Sequence, residues 1–133
     1  MLTSMMLRKF NPKSIAPPAA TYVHGLEVPP NARLLFVAGQ TGMRPDGSIP
    51  ASIEEQADQT WKNVSAILAE GGMGIGDLVK VTSFVIGANN LKKYGAVRDK
   101  YLGDHRPTTT LLVVSGLARP EYLVEVEALA AKV

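Results

Sequence analysis

Apolar positions along the chain change spacing from one stretch to the next, and each spacing predicts an element. Residues 11 to 20 hold three prolines and a group of alanines, which forbids a helix and predicts an extended N-terminal arm over about residues 1–20. Thr21-Tyr22-Val23-His24-Gly25-Leu26 follows as a short strand, and Val28-Pro29-Pro30-Asn31 as a turn. Arg33-Leu34-Leu35-Phe36-Val37-Ala38-Gly39 is almost wholly apolar, as a strand covered on both faces is. Arg44-Pro45-Asp46-Gly47-Ser48 has the chemistry of a tight turn. Ser52-Ile53-Glu54-Glu55 then sets a hydroxyl and a carboxylate at capping-box spacing, and Ile53, Ala57, Trp61, Val64 and Leu68 recur every three or four residues up to Gly71-Gly72. That is an amphipathic helix with one buried stripe.

Asp77 opens Leu78 to Ile86, a β-branched run with strand alternation. Asn89 or Asn90 can cap a second helix in which Leu91, Tyr94, Val97 and Tyr101 share a stripe ending at Gly103, with Lys92 and Lys93 opposing the dipole of its first turn. Pro107 ends the connection, Thr108 to Val114 forms a strand, and Tyr122 to Ala130 forms the last, with Glu125 and Glu127 on one side and Val124 and Val126 on the other. The order is β-β-α-β-α-β-β, an α+β fold with two helices on one face of a mixed sheet and a single domain over residues 1–133. Leu34 to Ala38 and Leu111 to Val114 are nevertheless apolar on both faces. A second copy of the chain, packed sheet against sheet, is the simplest cover for the other face, so an obligate homo-oligomer is expected.

Composition narrows the function classes. The 133 residues are 46% hydrophobic and 20% charged, the balance of a chain with a core. Fourteen Lys and Arg against twelve Asp and Glu leave a net charge of +2, with the basic residues scattered, so no nucleic-acid partner is expected. The absence of cysteine excludes disulfides, thiolate metal sites and a cysteine nucleophile, and the cytoplasm is the expected location. The N-terminal apolar stretch is short, with Arg8 and Lys9 after it, so neither secretion nor membrane insertion is expected.

Several apparent motifs lack their context. Gly72-Met73-Gly74-Ile75-Gly76 follows a helix and precedes a strand, the reverse of a dinucleotide loop. His24 and His105 stand far apart, without the spacing of a zinc site, so no metal is expected. Asn63-Val64-Ser65 is a formal sequon inside a helix, and no Gly-x-Ser-x-Gly elbow occurs. Glu125 and Glu127 stand out, because carboxylates on a strand otherwise built of Val, Leu and Ala face a wet cleft or are paired. Acid–base work, a solvent-facing edge and an ion pair with an arginine all satisfy that pattern.

The combination of Tyr22-Val23-His24-Gly25, Val37-Ala38-Gly39-Gln40-Thr41-Gly42, Ala57 with Asn63 and Val64, Gly76-Asp77-Leu78-Val79-Lys80-Val81-Thr82, Phe84-Val85 and Leu123-Val124-Glu125-Val126-Glu127-Ala128 resembles the Rid family, also called the YjgF/YER057c/UK114 family, from about residue 15 to 131. The resemblance implies a chorismate-mutase-like fold, a homotrimer with its sheets facing inward, and ligand clefts between neighbouring subunits. It implies cofactor-independent hydrolysis of reactive enamines and imines, such as 2-aminoacrylate and 2-iminobutanoate, to 2-keto acids and ammonia. Some members are instead linked to RNA cleavage or translation inhibition. Carried over by position, Tyr22 matches the cleft tyrosine, Gly39 the glycine bordering the ligand, Asn89 the asparagine before the second helix, and Glu125 the glutamate that positions water.

The chain departs from that pattern where the deaminases carry an arginine that grips the substrate carboxylate. Here the position is Thr109; Ala38 likewise replaces a frequent serine, and Leu111 a frequent cysteine. Losing one side of a buried charge pair costs roughly 2 to 5 kcal/mol. Arg106, three residues away, would lie roughly 10 Å off and on the opposite face of an extended strand, and the pattern does not position Arg33, Arg98 or Arg119. Thr109 can donate one hydrogen bond to a weakly polar ligand, which leaves a changed substrate class, lost activity and a non-catalytic binding or chaperone-like trimer open.

Overall fold

The computed structural model describes residues 7–133. Its strands are β1 (Arg8–Phe10), β2 (Gly25–Glu27), β3 (Arg33–Gln40), β4 (Leu78–Ile86), β5 (Thr108–Val114) and β6 (Val124–Lys132), and its α-helices are α1 (Ile53–Glu70) and α2 (Leu91–Leu102). Single 3₁₀ turns at Ile75–Asp77 and Ala88–Asn90 precede β4 and α2. The four long strands form one mixed sheet in the order β3-β6-β4-β5, with β4 and β5 parallel and the other pairs antiparallel.

The helix boundaries follow from local chemistry. Ser52 Oγ accepts the Glu55 N–H at 3.1 Å while its hydroxyl donates to Glu55 Oε1 at 3.1 Å, which occupies donors that a helix start leaves free. At the other end Gly72 takes φ +72°, a left-handed conformation that favours glycine. Both helices cover one face of the sheet. Trp61, Val64 and Leu68 of α1 and Tyr94 of α2 are fully buried against Val81, Val85, Val124 and Val126. Inside this core Trp61 Nε1 donates to Tyr94 Oη at 3.3 Å, and Tyr94 Oη shares a 2.5 Å hydrogen bond with Ser83 Oγ. Burial pushes the Tyr94 phenol above its usual pKa, so it stays a neutral bridge. Gln56 is equally buried and ties two loops together, donating to the carbonyls of Pro50 and Glu121 and accepting the Leu123 N–H, each at 2.8 Å.

Four expectations are corrected. The strand expected over Thr21 to Leu26 is confined to Gly25–Glu27, because Val23 N–H donates to the Pro107 carbonyl at 3.1 Å and holds the preceding residues against the start of β5. The arm is not simply extended, since Arg8–Phe10 pairs antiparallel with β2 and adds a strand to the order; the part of the arm over residues 1–6 lies outside the described residues. The last strand begins at Val124 rather than Tyr122, whose N–H closes a turn onto Arg119 at 3.2 Å. Neither asparagine caps α2 through its side chain: Asn90 Nδ2 instead donates back to the Ile86 carbonyl at 2.8 Å.

The second face of the sheet carries large apolar side chains in the open. Phe36 is 74% exposed, Leu34 54% and Leu112 44%. No helix of the described residues is long and apolar enough to cross a membrane.

Candidate functional site

Alternation along β6 decides which way its carboxylates point. Val124 and Val126 are fully buried on the helix side, so Glu125 and Glu127 project from the open face. Glu127 stands exposed opposite Thr82 and borders a groove of about 500 Å³ shared with Phe36, Ala38, Lys80 and Leu129. Glu125, opposite Phe84, is half-buried. The difference comes from β3, whose register with β6 shifts between Val37 and Gln40. That bulge brings Gly39 against the Glu125 side chain, where a Cβ would stand only 2.0 Å from Oε2 and 2.9 Å from Cδ. Only glycine admits the carboxylate there.

A test follows from this packing. Gly39 lies outside the chain's positive-φ glycines, so its backbone tolerates alanine and the added methyl acts on Glu125 alone. Gly39→Ala is expected to leave the melting curve nearly unchanged while turning the carboxylate aside. A misplacement of about 1 Å costs on the order of 100-fold in rate, and steady-state kinetics beside a thermal melt would read both effects.

The other candidate residues divide into separate places. Tyr22 is half-buried; its Oη accepts the Ala19 N–H at 3.2 Å, and its ring meets His24 edge-on at 5.7 Å. The Val23–Pro107 hydrogen bond sets this segment beside the start of β5. Thr109 pairs in register with the buried Val81, so it faces the helix side, and its Oγ1 is buried with no hydrogen-bond partner among the described residues. Asn89 is exposed in the 3₁₀ turn after β4, its Oδ1 close to Gly87, whose φ is +82°. Within one chain, then, Glu125 and Gly39 meet on the open face, the segment after Tyr22 is tied to the start of β5, Thr109 faces the helix side of β5, and β4 stands between β5 and β6.

Other sequence features prove structural. His24 Nε2 lies 2.8 Å from the Ala16 carbonyl and His105 Nε2 2.7 Å from the Leu78 carbonyl; burial lowers the His105 pKa, favouring the neutral ring. No group of three or more metal-holding side chains occurs among the described residues. Asn63 of the formal sequon donates to the carbonyls of Thr41 and Met43, at 3.1 and 3.0 Å, and pins the loop after β3. Arg106 Nη1 is occupied by the Gly103 and His105 carbonyls at 2.7 and 3.0 Å, Arg33 reaches the Gly71 carbonyl at 3.3 Å, and Arg119 lies over the Tyr122 ring at 5.9 Å. Arg98 is different: it is buried within the α2 stripe. Its signal was available in the sequence, since it stands four residues after Tyr94 and four before Leu102 on one helical face.

Comparison with known proteins agrees with this architecture. The family model described as Endoribonuclease L-PSP matches residues 13–132. A RutC family protein of Pyrococcus abyssi is 33% identical over 123 residues, covering 91% of each chain. The 2-iminobutanoate/2-iminopropanoate deaminase of Escherichia coli is 30% identical over 125 residues, again 91% of each. Among solved structures, the Rid-family protein YyfB from Yersinia pestis superposes with a TM-score of 0.85 at 27% identity, covering 96% of this chain and 100% of that one. E. coli TdcF with bound serine gives 0.72 at 30% identity, covering 92% and 94%. A family match that spans nearly the whole chain, with the fold to go with it, makes this protein a member of the Rid (YjgF/YER057c/UK114) family.

Proposed function

We propose that the chain assembles as a homotrimer through the open sheet face, and that the clefts between copies bind a small metabolite and hydrolyse enamine or imine groups to a carbonyl compound and ammonia. The packing of the Glu125 carboxylate against Gly39 carries this reading, because it sets a half-buried carboxylate beside apolar surface that a second copy would cover. Imine hydrolysis needs a positioned water, a group to take its proton, and donors for charge developing on nitrogen. Glu125 holds the water and takes the proton. Tyr22 and the backbone at Gly39 orient the ligand, and Asn89 lines the cleft. Since Glu125 and Tyr22 sit in separate places on one chain, a contact between copies is what would bring one chain's Glu125 to another's Tyr22 and Thr109. The deaminase among the relatives supports the reaction class.

Ammonia release from freshly generated 2-aminoacrylate tests the reading. Turnover above the rate of spontaneous hydrolysis is expected. Ligand retained with no turnover would instead favour a non-catalytic binding trimer, the reading that Thr109 in place of a cation supports.

A further inference from the structure

The open face of the sheet keeps its two signs of charge in separate halves. On β6 the open-face charges are Glu125 and Glu127. On β4 the single charge is Lys80, which alternates with the buried Val79 and Val81 and so projects from the same face. β5 contains no charged residue. Arg33 and Lys132, register partners at the far end of β3 and β6, fall in step with the buried Val37 and Ala130 and belong to the helix side. One half of the open face is therefore acidic and the other basic.

Neither sign is compensated within the chain. Glu125 is packed against Gly39, but Glu127 is exposed and makes no hydrogen bond or ion pair among the described residues. Lys80 Nζ donates to Thr110 Oγ1 at 2.6 Å. Thr110 lies on β5, on the side of β4 away from β6, so the ammonium leans away from its own chain's Glu127 and spends its reach on a neutral hydroxyl. Both charged residues line the groove of about 500 Å³ that also holds Phe36 and Leu129. Any cover that takes Phe36 out of water takes Lys80 and Glu127 with it. An isolated ion shut away from water is strongly unfavourable, whereas an opposed pair offsets the loss of hydration. A second copy brings the matching signs of necessity, because the acidic half of one chain set on the basic half of another opposes carboxylate and ammonium.

We infer that Glu127 of one copy pairs with Lys80 of its neighbour inside the assembled face, and that this pair selects the register in which the apolar surfaces meet. Apolar contact alone is non-directional. A slipped register leaves both ions buried without partners, and that penalty supplies the discrimination. The inference rests on the proposed assembly through the open face. Its readout is mass, so it stands apart from whether the cleft releases ammonia.

Sedimentation velocity on charge-exchanged chains tests it. Glu127→Lys and Lys80→Glu each set like charges at the contact and are expected to weaken assembly at least ~30-fold, about 2 kcal/mol. The double variant carrying both exchanges should assemble as the natural chain does. An equimolar mixture of the two single variants should recover much of the assembled mass, since each then meets the opposite charge on the other chain. A mixture no better assembled than its components would overturn the inference, because it is the result expected of a pair confined to one chain. Should a single variant fail to fold by circular dichroism, Glu127→Gln keeps the side-chain shape and should raise the dissociation constant about tenfold; an unchanged constant there also overturns the pair. Full assembly in both single variants sinks the pair alone, whereas a natural chain that is monomeric at micromolar concentration sinks the assembly and the pair together.

Discussion

Phe36→Asp is expected to sediment as a lone 14.2 kDa chain at micromolar concentration, where the natural sequence sediments at a multiple of that mass. Phe36 is the most exposed of the large apolar side chains on the open face, at 74%. Burying a phenylalanine side chain at a contact between copies contributes about 1.5–3 kcal/mol. An aspartate in its place removes that gain and sets an unpaired charge into an apolar surface, a further several kcal/mol. Closed symmetry repeats the effect at every copy. The helices should be unaffected, because Phe36 points away from the core they cover; far-UV circular dichroism would keep its shape while sedimentation velocity changes. A natural-sequence protein that is already monomeric and fully soluble at micromolar dilution would refute the proposed assembly.

Glu125→Gln is expected to reduce ammonia release by about 10²–10⁴-fold, the range for removing a general base, equivalent to roughly 3–5 kcal/mol of barrier. The amide keeps the shape that packs on Gly39 but takes no proton from water. The loss should appear in kcat with KM little changed, since hydrogen bonding to the ligand is preserved. Glu125 is half-buried at the open face and outside the helix-side core, so the melting temperature should move little. Natural turnover in this variant would remove Glu125 from the role given to it and leave the fold and assembly arguments standing.

The helices were legible because their information is local. Ser52 and Glu55 announce the start of α1, and the stripe from Ile53 to Leu68 is the buried face observed. The β4 and β5 runs were legible for the same reason. The segment around Tyr22 was misread because its backbone partner, the Pro107 carbonyl, lies more than eighty residues away. Alternation along β6 predicted that Glu125 and Glu127 share a face, but only the bulge in β3 distinguishes them, pressing Gly39 against one and leaving the other exposed. Arg98 is in step with Tyr94 and Leu102 on α2, but apolar periodicity carries no sign of a charged residue's burial, which only the packed structure shows.

The position of β6 in the sheet order has a consequence for how the molecule comes into being. β3 and β4 are not hydrogen-bonded to each other; each is paired with β6, which follows both of them in the chain. Until residues 124–132 leave the ribosome, β3 has no partner in this sheet and β4 has only β5, and some ninety residues of chain separate β3 from the segment that joins it. Closing so wide a loop is slow, and exposed strand edges are prone to misassociation in the interval. Nascent chains halted before Val124 should therefore be protease-sensitive and chaperone-bound, because the keystone of this sheet arrives after the stones it holds.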